Sequence, residues 1–182
     1  MSLTLLLFMG LIGVFFLTFL KTPLINLFGE DHILIFNLKN AGWFQIYWLA
    51  GMFLFIMNGI LFFSTALLIY VLSYFLIPYV YLFVMVLAVI GSIFLWIIIN
   101  KAWQGTRSNC LKMAAVGSSF YLILSLILIY MLVTLEPSYP GDDTLMRAIG
   151  IVMGIVVTTV AFILCFIFTG FSNKKEMNEA RF

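Results

Sequence analysis

Charge is what this sequence has least of. Nine basic and seven acidic side chains make up 9% of 182 residues, and residues 40–100 contain no Asp, Glu, Lys, Arg or His. A soluble domain carries roughly a quarter of its residues as charges, so water is not the solvent this composition suits. Histidine occurs once, at His32, and cysteine twice. One chain therefore cannot supply the two His ligands of a b-type haem. No Gly-rich phosphate loop, nucleophile elbow or metalloprotease pattern occurs. The formal charge of +2 is too small to point to nucleic acid. No cofactor is expected.

What the chain does have is hydrocarbon: 65% of its residues are hydrophobic, and the mean hydropathy is +1.22. About 20 apolar residues in a helix cross a bilayer core of about 30 Å. Residues 1–20 are uncharged and long enough to cross. As a single helix, residues 40–100 would extend about 90 Å, so they must fold back. Pro78 in "SYFLIPY" marks the place, because proline cannot donate the next helical hydrogen bond. Two further uncharged runs follow the "NKAWQGTRSNCLK" stretch. The expectation is an all-α, polytopic transmembrane helix bundle with five spans, near 3–20, 46–71, 78–99, 113–134 and 147–170. It forms a single integral membrane domain over 1–182. The opening "MSLT" lacks a basic n-region and "TFLKTPLIN" lacks a small-residue cleavage site, so the first span is expected to be retained.

Five spans put three connections on one face. These are an interfacial loop at 21–45, a basic loop at 100–112 and the tail at 171–182. Together they hold eight of the nine basic residues; only Arg147 falls opposite, near the acidic loop 135–146 with Glu136, Asp142 and Asp143. Basic residues in short loops stay cytoplasmic. The amino terminus is therefore expected outside and the carboxy terminus in the cytoplasm. Three basic residues in one loop fall short of the clusters of four to eight that mark anionic-lipid binding. Trp43, Tyr47, Trp48, Trp96 and Trp103 read as anchors at the inner headgroup level. Tyr70, Tyr74, Tyr79, Tyr81 and Tyr130 read as anchors at the outer one. No disulfide is expected, and Cys110 is a position where palmitoylation would be accessible.

Ionisable groups inside spans would be the natural functional candidates, and the predicted spans contain none. Polar and small residues are the remaining candidates for helix packing or a pathway. Gly51, Asn58 and Thr65 fall seven apart on one stripe of the second span. The Asn58 amide needs a partner, because hydrocarbon provides none. Gly150, Gly154 and Thr158 line up at four-residue spacing in the fifth span, and Ala114, Ser118 and Ser125 do so more loosely in the fourth. Such positions let helix backbones approach closely. Glu30, Asp31 and His32 form an interfacial polar cluster, read as a solvated turn rather than a metal or acid–base site.

Three function classes follow. The favoured one is a non-enzymatic integral membrane protein acting as a subunit, accessory or immunity-type factor of a membrane assembly. The alternative is a small oligomeric transporter or pore lined by Asn58, Ser64, Thr65, Thr158 and Thr159. A lipid-modifying enzyme would need Glu30, Asp31 or His32 at the inner interface. The expected partners are the lipid bilayer and a membrane protein, or a second copy of the chain. The expected location is a plasma (inner) membrane, in a bacterium.

Overall fold

A computed structural model describes residues 33–75, 80–137 and 144–171. Among them the chain is entirely helical. The short helix α1 (Ile33–Asn40) is followed by a 3-10 turn (Gly42–Gln45). Four long helices come next: α2 (Tyr47–Tyr74), α3 (Val80–Ala102), α4 (Arg107–Val133) and α5 (Thr144–Gly170). The expected span 3–20, Pro78, and Glu30, Asp31 and His32 lie outside the described residues, as do half of the acidic loop and nearly all of the tail.

The helices stop where local chemistry stops them. The side chain of Thr106 accepts a hydrogen bond from the Asn109 amide at 3.5 Å and so caps α4, satisfying one of the four orphan donors that open a helix. Helix α4 ends at Val133, short of Pro137, which could not continue it. The four long helices run 23–28 residues, about 35–42 Å at 1.5 Å per residue. All four are long and apolar enough to cross a membrane.

The sequence places the fourth span six residues too late. Arg107 and Lys112 belong to α4, and Asn100 and Lys101 to α3, so the expected loop 100–112 shrinks to residues 103–106. Arg107 to Lys112 hold polar side chains that hydropathy counts as loop, but the helix accommodates them once capped by Thr106.

Helix α4 lies between α2, which runs parallel to it, and α5, which runs antiparallel; α3 packs against both α2 and α5. The core is confined to one end of the bundle, where α2 and α4 begin and α3 and α5 end. Ala50, Leu54, Ile97, Ile99, Met113, Cys165 and Phe168 are fully buried there. Toward the other end, Phe63, Leu67, Tyr70, Phe83, Val86, Tyr130 and Val133 are all exposed. Only 11–33% of each apolar window is buried inside the molecule. Apolar faces of that extent need hydrocarbon or another protein to cover them.

Candidate functional site

The closed end holds nearly all of the buried polar side chains: Asn58, Asn100, Ser118 and Thr169. Asn58 occupies the second span's expected stripe and is fully buried. Its amide donates to the Gly117 carbonyl at 3.2 Å and to Cys165 Sγ at 3.5 Å. Its Oδ1 accepts the Trp96 indole N–H at 2.9 Å. One side chain on α2 thus binds α3, α4 and α5. The indole fixes the amide's orientation, since an N–H can only donate and must face the oxygen.

Around Asn58 the packing depends on missing side chains. A Cβ on Gly117 would stand 2.8 Å from Leu54 Cβ, and one on Gly51 would stand 2.8 Å from Val116 Cβ and 3.1 Å from the Met113 carbonyl oxygen. Both glycines bring α2 and α4 together. Close approach is what gains dispersion where lipid removes the hydrophobic drive. The Trp96 ring meets Tyr121 edge-on, with centroids 6.3 Å apart.

A second tier lies nearer the helix ends. Asn100 Nδ2 donates to the Thr169 carbonyl at 2.8 Å, and the Cys110 thiol donates to the same oxygen at 3.3 Å. The Thr169 hydroxyl turns back to the Cys165 carbonyl. A third tier closes the end. Gln45 Nε2 donates to the carbonyls of Lys39 and Ala102, at 3.3 and 3.4 Å, and its Oε1 accepts the Gln104 amide at 3.0 Å. Carbonyls ending α1 and α3 would otherwise be orphans. Ile35 and Phe44 are buried beneath them. The described part of the interfacial loop therefore docks under the bundle.

The other singled-out residues lie apart from this cluster. Thr65 is half-buried and donates to its own helix at Leu61 O, 2.6 Å away. Gly154 meets Leu128 of α4, whereas none of the described residues lies within 4 Å of a Cβ at Gly150. Thr158 is buried and donates to the carbonyls of Gly154 and Ile155. Ser125 and Thr159 approach to 3.4 Å between α4 and α5. Two sequence expectations change. Trp96 and Trp103, expected at the headgroups, are only 3% and 1% exposed, because their N–H groups find acceptors inside, at Asn58 and at the Thr106 carbonyl. Cys110 is buried, so it is not the accessible thiol that palmitoylation requires.

Gln45, Asn100, Gly117, Cys165 and Thr169 were not recognised from sequence as one site. Their shared signal is depth: each lies in the same end-half of its span, or beside it, as Asn58 does in α2.

Every group in this cluster is an uncharged hydrogen-bonding group or a thiol. Among the described residues, no buried side-chain N or O lacks a partner, and no three His, Cys, Asp or Glu gather to hold a metal ion. The chemistry available is hydrogen bonding between helices. The fold and the site together define a class: an apolar multi-helix bundle compatible with an integral membrane protein. No protein family, curated protein or solved structure matches the chain.

Proposed function

We propose that the chain is a non-enzymatic subunit or accessory factor of a larger membrane assembly, in the plasma membrane of a bacterium. Immunity against a membrane-active toxin falls within the same reading. In this reading residues 1–20 add a fifth span, the closed end faces the cytoplasm and the open end faces outward. The supporting observation is the contrast between the two ends. At the closed end every buried side-chain nitrogen and oxygen among the described residues already has a partner, in a neighbouring helix or its own, which argues against a polar path there. At the open end broad apolar helix faces have no neighbour among the described residues. Intramembrane polar groups that already have partners contribute cohesion, roughly 0.6–2 kcal/mol each.

The transporter alternative needs free polar groups along a pore. Of its candidate lining, Asn58 is engaged on three sides, while Ser64, Thr65, Thr158 and Thr159 each bond a carbonyl of their own helix. This favours the subunit reading. Affinity purification in mild detergent, followed by mass spectrometry, tests it. A different membrane protein recovered at fixed ratio is expected. Recovery as a monomer or homo-oligomer alone, together with solute flux in liposomes holding only this chain, would reverse the choice.

A further inference from the structure

A shallow groove of about 500 Å³ runs between α2 and α4 on the bundle's outer surface, lined by Trp48, Met52, Phe55, Ala115, Val116 and Ser119. On α2, positions 48, 52 and 55 repeat at four and three residues. On α4, positions 112, 115, 116 and 119 do the same, so each set forms one helix face. The groove exists because its α4 wall is shallow: Ala115 and Ser119 are small, and Gly51 draws the helices close. Its only side-chain hydroxyl, on Ser119, is committed to Val116 O at 2.6 Å. The Trp48 indole N–H is the one other side-chain hydrogen-bonding group in its lining, so the groove offers a polar solute little. A hydrocarbon chain meets a continuous apolar wall of about 10 Å between positions 112 and 119, at 1.5 Å per residue.

The end of the groove is different. Lys112 is exposed and stands at its mouth, with Nζ 5.5 Å from the Tyr47 ring centroid. Trp43, Tyr47 and Trp48 are exposed at the same level, the ring types that favour the headgroup layer. A cation at headgroup depth above an apolar channel open to the side complements one kind of molecule in both halves. We propose that this groove is a binding site for an anionic phospholipid, one acyl chain lying along Met52, Phe55 and Ala115 and the phosphate-bearing headgroup on Lys112. The site requires insertion in a bilayer but is independent of the subunit assignment.

Native mass spectrometry of the full chain, equilibrated with equal amounts of phosphatidylglycerol and phosphatidylcholine of identical acyl chains, tests this. Phosphatidylglycerol should be retained about fivefold over phosphatidylcholine, the effect of one basic residue near an anionic headgroup. Lys112→Gln should bring the ratio close to one while the thermal unfolding midpoint in detergent stays where it was. Ala115→Phe, which fills the channel with a surface-facing ring, should remove both adducts. Equal retention by the wild-type chain overturns the proposal, as does an unchanged ratio in Lys112→Gln. So does a dimer that Ala115→Phe dissociates, because the groove would then hold a second copy of the chain.

Discussion

Asn58 is the residue on which the closed end turns. Its amide is shared among three helices, so Asn58→Leu removes three hydrogen bonds and strands the Trp96 N–H in an apolar interior. The expected cost is about 1–3 kcal/mol, read as a lowered unfolding midpoint in detergent and as solvent exposure of Trp96 by fluorescence. An unchanged midpoint and spectrum would mean that the hydrogen bonds drawn to Asn58 do not hold the helices. Much of this residue's role was legible in sequence, because an amide at mid-span has to find a partner. Which partner it finds was not. The acceptor is a backbone carbonyl at Gly117, and the donor is a Trp whose amphipathic ring equally suits an interface. Local pattern does not distinguish a Trp at the headgroups from one whose N–H has an internal acceptor.

At the scale of elements, runs of apolar residues, the helix-breaking chemistry of Pro78 and the polar stretches between runs were enough to locate the four long helices to within a few residues. The exception is the start of α4, which the polar run Arg107 to Lys112 concealed. Small-residue spacing was a poorer guide to which faces meet. Gly150 and Gly154 share one motif, yet among the described residues only Gly154 has a neighbouring helix against it, while Gly117, in no singled-out motif, packs directly on Leu54 where α2 and α4 meet. Contact between helices depends on their rotation about their own axes, which spacing within one helix does not set. Two substitutions separate these cases. Gly117→Ala drives a methyl into Leu54 and should destabilise by about 1–3 kcal/mol, the usual range for an overpacked interior. Gly150→Ala meets open space and should be neutral or slightly stabilising, because alanine favours helix by about 1 kcal/mol. Thermal unfolding of the two variants side by side checks both.

For the whole molecule, the asymmetry of charge and the asymmetry of packing coincide. Lys101, Arg107 and Lys112 sit at the end where the core, the polar tiers and the Gln45 clasp are found. The open end carries Glu136 and Arg147 and exposes Tyr70, Tyr74 and Tyr130. Basic side chains resist translocation, which is the ground for the proposal that the closed end faces the cytoplasm. Substituted-cysteine labelling in intact cells tests that threading most directly. The two native cysteines are buried and should contribute little background, while Gln104 and Glu136 are both exposed. With a membrane-impermeant maleimide, Glu136→Cys should label in intact cells and Gln104→Cys only after the membrane is opened. Labelling of Gln104→Cys from outside, with Glu136→Cys protected, would contradict it.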